Sequence, residues 1–300
     1  MQGLLLIDKP EGKTSYQVVA TIKKLTHQKR VGHTGTLDPM ATGVLPVFLG
    51  RATSLSSFLL EADKSYTATF RLGITTDTAD ITGKILTETQ VNVTEGQVIA
   101  VLNSFLGKIS QVPPMYSAIK RNGVPLYKLA RNGETVEIEP RQVEIKKIEA
   151  ISPFENNEIT VNIICSKGTY IRSLCRDIGE KLGCGATLSY LKRTATSGFG
   201  IEQCVSLQKL NEENIFSFII SEETAVEHLK SVHITEKQAR RFVNGGRLDL
   251  ERLKFIPKNN GEALRIKYGE RFLGIGTVNL ESGQLEIKCL TDLLTEENNG

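Results

Sequence analysis

The sequence predicts an α+β protein: a mixed, mostly antiparallel sheet carrying helices, followed by a smaller β-rich unit towards the C-terminus. Three observations lead there. Segments such as Ser65 to Leu72 and Glu158 to Cys165 alternate apolar and polar residues, the period of half-buried strands. Val18, Val19, Ile22 and Leu25, and again Ile171, Leu174, Cys175, Ile178 and Leu182, recur at helical spacing. The two kinds of segment follow one another without a regular strand–helix–strand rhythm, which disfavours a doubly wound parallel sheet.

The chain opens on the apolar run Gly3 to Ile7, a strand closed by the turn Asp-Lys-Pro-Glu-Gly, after which Thr14 or Ser15 caps a helix to about Leu25. Lys23, Lys24, Lys29 and Arg30 gather at its end, where cations suit a helix C-terminus and an RNA phosphate alike. Residues 43 to 49 read as an apolar segment, 52 to 60 as a helix, and Ser65 to Leu72 as a strand with Tyr66, Ala68, Phe70 and Leu72 on one face. The threonine- and aspartate-rich stretch from Gly73 to Gly83 reads as a solvated loop.

Thr94 and Gln97 form a capping box for a helix to about Leu106, broken by Gln111-Val-Pro-Pro. Met115 to Val124 suggests a strand and turn, Pro125 to Asn132 a short helix, and Val143 to Ile151 and Glu158 to Cys165 two strands. The turn Ser166 to Thr169 then leads into a helix with Tyr170 and Arg172 in its first turn, where free amides favour an anion. Composition turns acidic and polar over 221 to 230, which sets the expected division at residues 1–230 and 231–300. In the second part a helix from His233 to Gly246 precedes strands at Ala263 to Lys267, Phe272 to Leu280 and Leu285 to Leu290.

With 300 residues, 40% hydrophobic and 24% charged, the chain is globular rather than disordered or fibrous. A net charge of +3 is too small to identify a nucleic-acid partner, so the clusters matter more: Lys120, Arg121, Lys128 and Arg131, and Lys237, Arg240, Arg241 and Arg247. Each is either a solvated face or a phosphate track. Five cysteines without a C-x-x-C pair and four histidines without ligand spacing point to no metal and to reduced, cytoplasmic thiols. No apolar run reaches the roughly 18 residues of a membrane span, and no heptad pattern or apolar stripe suggests an oligomer, so a monomer is expected.

Chemistry concentrates between Val31 and Gly43, which holds three glycines, one imidazole and one carboxylate. Pro39 forces Asp38 into extended geometry; equally, Asp-Pro is an ordinary helix start with Asp38 as a cap. Tyr66 and Leu191 read as core or as pocket lining, His33 as a backbone-bonded loop residue or a ligand contact, and Arg172 as a surface cation or a bridge between Asp38 and phosphate.

The run GHTGTLDPMATGVLPVFLGRAT resembles the signature loop of the TruB family of tRNA pseudouridine synthases. The likeness continues in SYTATFRLG (Ser65 to Gly73), PPMYSAIKRNGVPLYKLAR (Pro113 to Arg131) and CSKGTYIRSLCRDIGEKLGCGATLSYLKRT (Cys165 to Thr194), and it covers roughly residues 1 to 230. It implies a catalytic domain of pseudouridine synthase type followed by a small PUA-like RNA-binding domain. It also implies Asp38 as catalytic carboxylate, Arg172 as its partner, and Tyr66 as a catalytic residue whose ring stacks on a flipped base and whose hydroxyl is a candidate for handling the proton at C5. On the same resemblance His33 is expected to fill the space that base leaves and Tyr170 and Leu191 to line the pocket, with Lys120 and Arg121 of the basic cluster as further expected substrate contacts.

The implied reaction is isomerisation of uridine 55 in the T loop of tRNA, without a cofactor. The early first strand and short tail favour the stand-alone over the guide-RNA-dependent branch. A non-catalytic tRNA-binding protein would need no carboxylate facing RNA. A glycosidase would need a carboxylate pair, and no second carboxylate stands in these motifs.

Overall fold

The computed structural model describes residues 2–294 apart from Glu61, Ala118, Asn122 and Thr135, and apart from the side chains of Lys120 and Arg131. Among the described residues, one large mixed sheet runs in the order Val205–Ser206, Gly3–Lys9, Thr42–Leu49, Ala186–Thr196, Lys64–Leu72, Glu158–Cys165, Arg141–Ala150, Gly107–Gln111. Its neighbours are antiparallel except where Gly3–Lys9 meets Val205–Ser206 and where Thr42–Leu49 meets Ala186–Thr196. The expected class is the observed one. A second, five-stranded sheet is built from Ser231–His233, Ala263–Tyr268, Arg271–Asn279, Gln284–Leu290 and Leu248–Asp249.

The helices form where capping and apolar period coincide. Thr14 caps Ser15–Thr26 through a full box with Gln17, and Val18 and Ile22 of that helix are buried on the Leu5, Ile7, Leu45 and Val47 side of the sheet. Ile171–Leu182 lays Ile171, Leu174, Cys175 and Ile178 on the opposite half, against Ala68, Phe70, Val161 and Leu188. Phe272 and Ile275 of the smaller sheet share a core with Leu4, Phe48 and Leu55, so the two sheets are packed together.

Several elements differ from the expected ones. Residues 73 to 83 are not a plain solvated loop: Ile74–Thr76 pairs with Ile85–Glu88, and Asp80 is buried. The helix opened by Thr94 ends at Asn103, and the strand Gly107–Gln111 follows before the prolines. Residues 50 to 60 form a 3-10 turn, Gly50–Leu55, and then a short helix, Ser56–Leu60. Instead of one helix from His233, a strand Ser231–His233 precedes the helix Glu236–Val243, because Thr235 caps there with Gln238.

Register places one row of residues across the sheet. Lys9, Gly43, Arg193, Tyr66 and Ile163 are successive cross-strand partners. Directly opposed residues share a face, so Lys9, Arg193 and Tyr66 point to the same side, and Gly43 leaves the gap between the first two open. Gly43 has φ 101°, and a Cβ there would run into the Arg193 main chain. Gly43→Ala is therefore expected to lower stability by about 2–3 kcal/mol, read as a fall in the thermal unfolding midpoint.

Candidate active site

The loop between Val31–His33 and Thr42–Leu49 carries Asp38 and is tethered on both sides of it. The Ser15 hydroxyl accepts from the Leu37 N–H at 2.9 Å and donates to the Leu37 carbonyl at 3.1 Å. On the other side the Pro39 carbonyl accepts from the Gly12 N–H at 2.8 Å and from Lys9 Nζ at 3.3 Å. No helix begins at Pro39, so the helix-cap reading of Asp38 falls: its main-chain carbonyl closes a turn with Ala41, and its side chain faces elsewhere.

That side chain meets Arg172, whose Nε donates to Asp38 Oδ2 at 2.8 Å. Arg172 is itself buried, and its Nη1 and Nη2 donate to the carbonyls of Thr78 at 2.9 Å and Tyr116 at 2.8 Å. One planar guanidinium thus joins the Asp38 loop, the 74 to 83 turn, the 111 to 117 segment and the helix that carries it, a task an ammonium cannot perform. Asp80 Oδ2 lies 3.7 Å from the same Nε. Its other oxygen is spent on Thr78 Oγ1, Thr82 N and Thr82 Oγ1 at 2.9, 3.0 and 2.6 Å.

Tyr66 is buried beside Arg193, which donates from Nε to Val44 O at 2.8 Å and from Nη2 to Gly35 O at 3.0 Å. Leu191 lies in the same apolar cluster as Leu37, Met40 and Tyr66. His33 precedes the Asp38 loop, with Nδ1 buried and unpaired among the described residues. Asp38, Arg172, Tyr66 and Leu191 are thereby brought to one place, with Tyr170 one turn-start away on the Arg172 helix.

Residues 23–171 match the model described as TruB family pseudouridylate synthase (N terminal domain), and residues 172–232 the model of a tRNA pseudouridylate synthase B C-terminal domain. The chain belongs to the TruB family of pseudouridylate synthases. It is 47% identical to the tRNA pseudouridine synthase B of Clostridium tetani over 280 residues, 92% of this chain and 95% of the relative. With that of Clostridium acetobutylicum it shares 44% over 296 residues, 97% of this chain and 100% of the relative. Among solved structures it is similar to a chain of a Cbf5-Nop10-Gar1 complex, with a TM-score of 0.72 at 30% identity, covering 96% of this chain and 83% of that one. As a TruB-family enzyme it is an isomerase.

Electrostatics in this TruB-family site are dominated by burial. Asp38 keeps 32% of its side-chain exposure, yet its carboxyl lies above the usual carboxylate range. Desolvation and the charge of Asp80 together outweigh the pull of Arg172 and Lys9. Burial pushes the Tyr66 phenol up to about 12 and lowers the His33 imidazole, which Arg193 lowers further. Lys9 is fully buried, held by the carbonyls of Pro10, Lys13 and Pro39, and burial lowers it to about 8.

A raised Asp38 has two consequences of opposite sign. Between the unfolded value of 3.8 and the folded one the native state holds more protons, so this group's contribution to stability falls as pH rises. Turnover that needs the carboxylate instead rises with pH through the folded value. The acid limb of kcat against pH is expected above the ordinary carboxylate value, and Asp80→Asn is expected to shift it to lower pH.

Lys9, Asp80 and Arg193 are the residues that sequence reasoning missed. Lys120 lies on the short hairpin Lys120–Arg121 and Val124–Pro125, but its side chain is outside the described residues. Arg121 is exposed and donates to Glu137 O at 2.7 Å, with no bond among the described residues to the Asp38 cluster. Among the described residues no group of three or more His, Cys, Asp or Glu is placed to hold a metal ion, and no helix is long and apolar enough to cross a membrane.

Proposed function

We propose that this chain isomerises uridine 55 in the T loop of tRNA to pseudouridine, with Asp38 as the catalytic carboxylate. The observation that carries the reading is a partly exposed carboxylate fixed by Arg172 inside a TruB-family fold. The names of the relatives supply the class of RNA.

The reaction breaks the N1–C1′ bond, turns the base and joins C5 to C1′, with loss of the C5 proton. Asp38 serves as nucleophile at C1′ or C6 or as base at C2′. Unstacking the target costs a few kcal/mol. Tyr66 offsets part of this as a stacking face for the flipped base, and His33, kept neutral by its surroundings, fills the space the base vacates. Because the Tyr66 phenol keeps its proton near neutral pH, its ring matters more than any phenolate chemistry. Tyr170 and Leu191 close the pocket, and Arg172 orients Asp38. Lys120 and Arg121 lie along the RNA backbone.

Residues 1–230 act as the catalytic domain and 231–300 as a small PUA-like RNA-binding domain, in a monomer working in the cytoplasm without a cofactor. Asp80 gives the site a second carboxylate, but one oxygen is fully bonded and the group is buried, so it cannot activate water as a glycosidase pair would. An isolated T stem-loop should be converted, and the same loop with cytidine at position 55 should not. Release of free uracil, or conversion at another uridine, would overturn the reading.

A further inference from the structure

Tyr170 stands at the start of the helix Ile171–Leu182 and offers no side-chain cap of its own. Its main chain is satisfied from a different part of the fold. Gln111, fully buried at the end of the edge strand Gly107–Gln111, accepts from the Tyr170 N–H at 2.8 Å and donates to the Tyr170 carbonyl at 3.1 Å. One amide thus holds both polar atoms of a single residue. The next stretch of chain continues the grip: Val112 O accepts from Ser173 Oγ at 2.8 Å, and Tyr116 O from Arg172 Nη2 at 2.8 Å.

The ring of Tyr170 is held from the neighbouring strand. Arg141 is the cross-strand partner of Gln111, and its Cζ sits 4.5 Å from the ring centroid. The guanidinium also lies against the tight turn at Gly168, which has φ 82° and where an added Cβ would stand 3.6 Å from Arg141 Cζ. Nε and Nη2 of Arg141 are buried and have no hydrogen-bond partner among the described residues. Leaving two donors unmet is costly, and the attraction of the cation to the ring beside it offsets part of that cost.

We infer that Gln111 and Arg141 are positioning residues, a two-part clamp that fixes the main chain and the ring of Tyr170 and, through the first turn of the helix, the aim of Arg172 at Asp38. This rests on the reading of Tyr170 as a pocket residue. The clamp acts on geometry, so it governs the rate of the bound complex rather than the strength of RNA binding.

The test uses the full chain with intact tRNA. Arg141→Met is expected to lower kcat about tenfold, since small misplacements of reacting groups are costly in rate. KM and the filter-binding Kd should stay within about twofold, and Arg141→Lys should restore part of the rate. In a Tyr170→Ala background the Arg141→Met change should shrink to less than about twofold, because coupled groups are not additive. Hydrogen exchange over residues 166 to 174 should quicken in Arg141→Met and in Gln111→Met. Additive rate effects, a loss of affinity in step with rate, or unchanged exchange would each overturn the clamp, the second by making Arg141 a phosphate contact. If Tyr170→Ala leaves the rate intact while exchange still quickens, the clamp stands and the pocket role of Tyr170 falls.

Discussion

Asp38→Asn is expected to lower turnover on the order of 10⁴-fold or more while leaving tRNA affinity within about twofold, the pattern of a group used in the transition state rather than in binding. The amide is nearly isosteric, and its oxygen still accepts from Arg172 Nε, so the loop tethered at Leu37 and Pro39 has no reason to move. What disappears is the negative charge and the lone pair that attack sugar or base, or abstract a proton. Affinity rests on other groups, and removing an anion near RNA phosphates does not weaken binding. Single-turnover rates alongside filter binding of the same RNA separate the two quantities. A parallel fall in both would return Asp38 to a structural part.

Arg172→Lys is expected to cost about 10²- to 10³-fold in turnover and about 2–3 kcal/mol in stability. The ammonium keeps the charge but reaches one acceptor where the guanidinium served three: Asp38, Thr78 O and Tyr116 O. Two part-buried carbonyls lose their donor, and Asp38 and Asp80 are left with a less oriented countercharge, so Asp38 drifts from its pose and is harder to ionise. Thermal unfolding reads the first effect and kcat the second, with Kd expected to hold. If Kd worsened in step with kcat, Arg172 would be a phosphate contact instead.

Much of this was legible in the sequence, and what was not has physical reasons. The strand Glu158–Cys165, the alternating face of Tyr66, Ala68, Phe70 and Leu72, and the caps at Thr14 and Thr94 follow local rules that tertiary contacts left standing. The partnership of Asp38 with Arg172 came from motif likeness, since no local rule links positions so far apart. Asp80 was hidden in a stretch whose threonines read as solvated; they instead saturate one carboxylate oxygen, and the flanking pair Thr78 and Thr82, two residues to either side, was the available signal.

Lys9 and Arg193 were passed over because charged residues are seldom buried. Strand period offered a way to them: Lys9 continues the buried positions Leu5 and Ile7, and Arg193 follows Leu191 by two. The interruption of the 94 to 111 segment by a strand depends on a sheet partner that no local pattern displays, whereas the late start of the helix at Glu236 was signalled locally by the capping box of Thr235 and Gln238.

The most direct measurement is tritium release from a tRNA whose only 5-tritiated uridine is residue 55, with the wild-type chain and with Asp38→Asn. Release of all the label by wild type, none by the variant, and equal binding by both is the predicted result. Binding by the wild type with the label retained would contradict the account.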